Sequence, residues 1–432
     1  MSPPLRLEPA RAIRGRVSVP GDKSISHRAL ILAAVADADS SIRGRAQGGD
    51  QDSMVSCLRA LGVAIKDEDD RTVVRGVGLR GLRNPGGPLD CGNSGATMRF
   101  LAGLLAGIPG IAAVLAGDAS LSRRPMERVA DPLRRMGADV QTSAEGLPPV
   151  AIHGRQLHGI EHHLPIASAQ VKTAILLAGL NASGETSISG HDTGRDHTER
   201  LLRRLGVDIE SAEPIRLRPP GLIPGFDLAV PGDPSSAAFW LVLGVVHPDA
   251  EVITTGVGVN ATRTGFLEVL SRMGADIELS DQSESGGEPT ATLSARTSAL
   301  RAAEIAPAEV PALLDEIPIL AVAAACAEGT TVFRGLGELR VKEVDRVAAV
   351  AGELGRMGAR ITVEGDDLVI VGGRRLSGGP VDSRGDHRVA MSLAVAAMIA
   401  TGETEVRGAE SAAVSYPGFF EVLSDLRKAS PS

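Results

Sequence analysis

Aromatic residues are scarce: seven Phe, Trp240 and Tyr416 make up 2% of 432 residues. So few rings leave no platform on which nucleic-acid bases could stack. A net charge of −8 likewise lacks the basic excess that a phosphate backbone requires. The three cysteines, Cys57, Cys91 and Cys326, are odd in number and far apart. They form no disulfide framework and fit a reducing, cytoplasmic compartment. Met1 to Gly15 contains no apolar run of the secretory type. The stretch Phe100 to Gly117 holds 18 residues without a charge, but Pro109-Gly110 lies inside it. That predicts helix, turn and buried strand, not a membrane span. His153, His158, His162 and His163 cluster without cysteines or a carboxylate pattern, and read as an exposed loop rather than a metal site. Gly76 to Gly81 matches G-x-G-x-x-G, yet Asn84-Pro85-Gly86 follows where a nucleotide-binding helix is needed. Lysine is scarce too, at five residues (23, 66, 172, 342, 428) among 45 basic ones. Lysine is a compact charge able to exchange a proton, so those kept inside motifs hint at chemistry.

What is present is a globular composition, 43% hydrophobic and 23% charged, with internal repetition. The octet LRALGVAI at 58–65 recurs as LRRMGADV at 133–140, LRRLGVDI at 202–209, LSRMGADI at 270–277 and LGRMGARI at 354–361. Each predicts the last turns of an amphipathic helix, a glycine cap and a strand. A sixth helix is expected from about Pro417 to Lys428. Val19-Pro-Gly-Asp22 and Val230-Pro-Gly-Asp233 repeat 211 residues apart, each opening an apolar helix. Six units of about 70 residues therefore group into two similar halves, with a hinge expected at the two crossings. The Pro/Gly/Ser-rich stretch 281–289 reads as a surface loop.

Four predicted helix starts combine small residues with a cation: Gly21 to Arg28, Gly92 to Arg99, Ala167 to Lys172 and Gly385 to Arg388. Unpaired N–H groups and the helix dipole favour anions there. Ordinary capping explains any one of them, but four in one acidic chain point to phosphate or carboxylate ligands. Arg340 to Arg346 alternates in charge, and read as a helix it stacks Lys342 and Arg346 on one face. Asp315-Glu316 precede the apolar run Ile317 to Ala327, an unusual place for two acids.

The motifs GDKSISHRALILAA, DCGNSGATMR, RRPMERVADPLRRMGA, SAQVKTAILLAGL, RDHTER, VPGDPSSAAF, NATR, DEIPILAVAAA, ELRVKEVDR and GDHRVAMSLA run from residue 21 to 394. In this order the chain resembles the enolpyruvyl transferase superfamily, and within it the members that act on shikimate 3-phosphate. The resemblance implies an α/β (α+β) fold of two domains, each of three βαβαββ units in an inside-out α/β barrel. The expected domains are residues 21–231, and 1–20 together with 232–432. It also implies transfer of the enolpyruvyl group of phosphoenolpyruvate to the 5-hydroxyl of shikimate 3-phosphate, with release of phosphate, by a monomer needing neither cofactor nor metal.

By similarity, Lys23, Ser24, Arg28, Ser168, Ala169, Gln170, Arg195, Asp315 and Lys342 hold shikimate 3-phosphate. Lys23, Gly95, Arg124, Gln170, Arg346 and Arg388 hold phosphoenolpyruvate. Asp315 is implied as the base for the 5-hydroxyl, Glu343 as the acid for the methylene carbon, and Lys23 as the third catalytic group. Val414 stands where many members carry lysine, Ala169 replaces a serine, and Ala96 a threonine. The superfamily member acting on UDP-N-acetylglucosamine is the rival, but it uses a mobile-loop cysteine, and no cysteine here lies in such a motif. Glyphosate is implied as an inhibitor at the phosphoenolpyruvate site. Gly95 favours sensitivity, while the segments at 21–24, 168–172, 195–199 and 260–263 resemble a subgroup often tolerant, so partial tolerance is expected.

Overall fold

A computed structural model describes residues 3–190 and 194–428. The chain divides into two compact units. The first comprises Gly21–Val230 with Ser285–Glu288, and the second the residues up to Pro20, Pro231–Glu284 and those from Pro289 onward. The first carries helices α1 (Lys23–Ala34), α2 (Gly49–Ala60), α3 (Gly95–Ala106), α4 (Glu127–Arg135), α5 (Ala169–Gly179) and α6 (His197–Arg204). The second carries α7 (Pro234–Val246), α8 (Gly265–Arg272), α9 (Ile317–Cys326), α10 (Arg346–Arg356), α11 (His387–Ile399) and α12 (Phe419–Lys428).

The odd-numbered helices are apolar and buried nearly all round, which places them in the interior. In the first unit α3 and α5 approach closely at Gly103, where an added Cβ would sit 2.1 Å from the Ala174 carbonyl oxygen. In the second, Trp240 stacks on Phe419 with ring centroids 4.6 Å apart and donates to the Tyr416 hydroxyl at 3.1 Å. The even-numbered helices bury one face only. Five of them, α2, α4, α6, α8 and α10, end at the octets. Gly62, Gly137, Gly206, Gly274 and Gly358 have φ between 79° and 96°. The next residue then donates its N–H to the carbonyl of the leucine that opens each octet, at 3.0 Å in all five. This is the Schellman cap, and its positive φ is why glycine recurs there.

The sheets repeat as well. Ser40–Arg43 lies parallel to Asp227–Ala229 and antiparallel to Arg71–Arg75, which pairs with Ala64–Asp67. The same order recurs around Ala112–Ala116, Thr186–Ser189, Ala250–Gly258 and Thr330–Phe333, giving five four-stranded sheets. A three-stranded sheet joins Leu5–Leu7, Thr404–Arg407 and Pro380–Asp382. The uncharged stretch is helix α3 followed by the strand Ala112–Ala116, as its turn signal predicts.

Two local expectations need correction. Residues 281–289 do not form a loop. They lie in the strands Asp276–Ser285 and Glu288–Arg296, joined by Gly286-Gly287, both at positive φ as a two-residue hairpin turn requires. The four histidines lie on strands, and His162 is buried. Cys57 and Cys91, distant in sequence, are both buried in the first core, and the nearby Cys57 thiol together with burial raises the Cys91 thiol pKa. Among the described residues no helix is long and apolar enough to cross a membrane.

His27 ties three helices together. Its ring meets the Lys23 carbonyl oxygen at 2.8 Å, the Gln51 amide of α2 at 2.6 Å and the hydroxyl of Ser94, which caps α3, at 3.3 Å. Burial pushes the imidazole from 6.5 down to about 4, against the pull of Asp50. Above pH 6.5 the ring is neutral whether folded or unfolded. Between 6.5 and 4 only the unfolded chain takes the proton, so up to about 3 kcal/mol of stability is lost as the pH falls through that window. In His27→Gln, urea unfolding measured from pH 6.5 to 4 is expected to fall less steeply than in the wild type, by one proton. Equal slopes would count against a buried, neutral His27.

Candidate active site

The residues implied as ligands divide between the two units. In the first unit they gather where four helices begin. Asp22 caps α1 by accepting from Ile25 N at 2.8 Å, Ser94 caps α3 through Thr97 N at 3.2 Å, and Ser168 caps α5 through Val171 N at 3.5 Å. These caps follow from small polar residues placed just before apolar runs.

Side chains then link the helix starts. Lys23, first residue of α1, places Nζ 2.8 Å from Asp50 Oδ2 in the first turn of α2. Arg28, one turn further, is buried over the Phe100 ring at 5.0 Å. It donates to the Ser24 carbonyl at 2.8 Å, to Thr173 Oγ1 on α5 at 2.8 Å and to Thr198 Oγ1 on α6 at 2.7 Å. Arg195, just ahead of α6, reaches Ser24 Oγ at 3.1 Å. Gln170 accepts from Arg99, which also donates to the Pro125 carbonyl at 3.3 Å. Arg124 is hydrogen-bonded to Asn93 and Ser120. Gly95 opens α3 between two of these arginines, and a Cβ there would lie 2.8 Å from Arg99 Nη1 and 3.4 Å from Arg124 Nη1. Thus Lys23, Ser24, Arg28, Gly95, Arg124, Ser168, Ala169, Gln170 and Arg195 form one connected set of helix starts. Lys172 does not present its charge as the cation of its segment. Its side chain is 1% exposed, with Nζ 2.6 Å from Glu199 Oε1.

In the second unit the centre is Arg346, 2% exposed at the start of α10. Its Nε donates to Asp386 Oδ2 at 2.8 Å, Nη2 to Glu343 Oε2 at 2.7 Å and Nη1 to Asp315 Oδ1 at 3.2 Å. Burial opposes its charge, but the Asp386, Glu343 and Asp315 carboxylates outweigh that and raise its pKa above the usual guanidinium range. Asp386 also caps α11, accepting from Arg388 N at 2.8 Å and Val389 N at 3.1 Å, so it fixes both helix starts. The Arg388 side chain is buried, and its Nε has no protein acceptor among the described residues. Residues 340–345 are not helical: a short 3-10 turn ends at Leu339, a bend carries Lys342 and Glu343, and α10 starts at Arg346. The expected stack of Lys342 and Arg346 on one helix face therefore does not exist. The bend instead lets Glu343 fold back onto Arg346, while Arg340 turns to Asp345 at 2.9 Å and Asp366 at 2.8 Å. The acids at 315 and 316 point to different partners, Asp315 to Arg346 and buried Glu316 to Ser235.

Residue-by-residue reading of the sequence missed Asp50, Thr173, Thr198 and Asp386 as partners. Asp50 and Asp386 sit at helix starts, the signal that could have drawn notice. No group of three or more His, Cys, Asp or Glu among the described residues is arranged to hold a metal.

A family model described as EPSP synthase (3-phosphoshikimate 1-carboxyvinyltransferase) matches residues 7–423. The 3-phosphoshikimate 1-carboxyvinyltransferase of Gloeobacter violaceus is 52% identical over 98% of both chains. That of Roseiflexus sp. is 49% identical over 97% of this chain and 98% of the other. Among solved structures, an EPSP synthase from Acinetobacter baumannii superposes with a TM-score of 0.86 at 42% identity, over 97% of each chain. By this match over nearly its whole length, the chain belongs to the EPSP synthase family, the 3-phosphoshikimate 1-carboxyvinyltransferases.

Proposed function

We propose a division of labour among these residues for the family reaction, in which shikimate 3-phosphate takes the enolpyruvyl group of phosphoenolpyruvate and phosphate is released. Lys23, Ser24, Arg28, Ser168, Ala169, Gln170, Arg195, Asp315 and Lys342 hold shikimate 3-phosphate. Lys23, Gly95, Arg124, Gln170, Arg346 and Arg388 hold phosphoenolpyruvate. Asp315 takes the proton of the 5-hydroxyl as that oxygen bonds to C2 of phosphoenolpyruvate. Glu343 gives a proton to C3, which becomes a methyl group in a tetrahedral ketal. The C2–O bond to phosphate then breaks, the departing phosphate takes the proton held by Asp315, a methyl proton returns to Glu343, and the vinyl group is restored. Lys23 stabilises charge that develops on the phosphate.

One observation carries this assignment. Asp315 and Glu343 are both hydrogen-bonded to Arg346, so the base and the acid share one cationic anchor. The recurring sheet order and the glycine-capped helices support a barrel of six βαβαββ units in two domains. Three unbridged cysteines support a cytoplasmic enzyme. The protein acts as a monomer without cofactor.

Phosphate release in the presence of phosphoenolpyruvate is expected with shikimate 3-phosphate and not with UDP-N-acetylglucosamine, and Glu343→Gln is expected to abolish it. Equal release with both acceptors would overturn the reading. Lys23→Arg is expected to lose at least ~100-fold in kcat, the scale of one transition-state contact, because a guanidinium cannot repeat the compact Nζ position against Asp50. Near-normal kcat would show that charge alone suffices. For glyphosate, an alanine at position 95 pushes on Arg99 and Arg124. Gly95→Ala is therefore expected to raise the ratio of glyphosate Ki to phosphoenolpyruvate KM above a wild-type ratio that already shows partial tolerance. Wild-type inhibition far below the phosphoenolpyruvate KM would contradict that tolerance.

A further inference from the structure

The starts of α5 and α6 are joined by two rungs made from consecutive residues. Lys172 Nζ meets Glu199 Oε1 at 2.6 Å, and next to it Thr173 Oγ1 meets Thr198 Oγ1 at 2.7 Å. Both charged side chains are 1% exposed, and neither charged residue is among the assigned ligands. A buried ion pair is a poor source of stability, since well-packed apolar residues in its place are often neutral or stabilising. What the pair does supply is register: charged atoms 2.6 Å apart admit little sliding of one helix start along the other. The threonine rung beside it is the only one of the two that touches an assigned ligand. Arg28 donates Nη2 to Thr173 and Nε to Thr198. The residue leading into α6, Arg195, reaches Ser24 Oγ, so the placement of α6 also sets that of Arg195.

We propose that Thr173 and Thr198, held in register by the Lys172–Glu199 pair, are positioning residues for shikimate 3-phosphate. They fix the plane of the Arg28 guanidinium and the approach of Arg195. The proposal rests on Arg28 being a ligand of that substrate. A guanidinium bound on two edges by hydroxyls is pre-organised. Without them the binding step must also order it, and the loss falls on one substrate rather than on both. Thr→Val keeps the branched shape and removes only the oxygen, whereas Thr→Ser keeps the oxygen.

The test measures kcat, the two KM values and the Tm of the full-length protein. Thr198→Val and Thr173→Val are each expected to raise KM for shikimate 3-phosphate about tenfold, the scale of one hydrogen bond to a charged group, with KM for phosphoenolpyruvate within about twofold. Thr198→Ser is expected to restore the wild-type value. The paired variant Lys172→Met/Glu199→Leu is expected to keep or raise Tm while still raising KM for shikimate 3-phosphate. Wild-type KM in that variant, or a KM change for both substrates that tracks a fall in Tm, would overturn the proposal and mark the rungs as structural. Arg28→Ala separates the two levels of the argument. If it raises KM for shikimate 3-phosphate and the threonine variants do not, the positioning proposal alone fails. If Arg28→Ala leaves that KM unchanged, the ligand assignment fails, and positioning through Arg28 fails with it.

Discussion

A buried cation must keep a counter-group, and this constraint organises the candidate site. Buried Arg346 is fixed by three carboxylates, and partly buried Lys23 by Asp50. In each case an acid belongs to the start of a different helix: Asp50 to the first turn of α2, Asp386 to the cap of α11. Helix starts welcome acids because their N–H groups point outward and carry partial positive charge. The feature of a helix start that favours an anion thus also places the internal acids that hold the cations.

Arginines of the first unit are placed by another kind of oxygen. Arg28 is held by two threonine hydroxyls and a carbonyl, Arg99 by an amide and a carbonyl, Arg124 by an amide and a serine. These contacts set geometry while leaving the guanidinium its charge. The same plan of helices and sheets thus places some cations with carboxylates and others with neutral oxygens, both kinds occurring within the first unit.

What was legible in the sequence was what is encoded locally. The octets could be read because a Schellman cap needs only a helix end, one glycine and the leucine four residues before it. The helix starts could be read because Asp22, Ser94, Ser168 and Asp386 bond to N–H groups two or three residues away. What failed depends on distant partners. Arg340 to Arg346 has helical charge spacing, but Asp366 and Asp386 draw its arginines elsewhere. Lys172 looked like a ligand because nothing nearby announces Glu199, 27 residues on. The stretch 281–289 has loop composition, yet two adjacent glycines turn it into a hairpin. The roles proposed for Asp315 and Glu343 came from the resemblance to known enzymes, since local reading could not assign them.

The aromatic core of the second unit has a spectroscopic consequence. The only tryptophan and the only tyrosine of the chain, Trp240 and Tyr416, touch each other there, both buried, with Trp240 stacked on Phe419 and Tyr416 edge-on to it. The first unit contains neither. Intrinsic fluorescence and near-ultraviolet tyrosine or tryptophan dichroism therefore watch the second unit alone, and the first can melt without an optical signal of that kind. A comparison of those traces with calorimetry, which weighs both units, therefore shows without a label whether the two melt together.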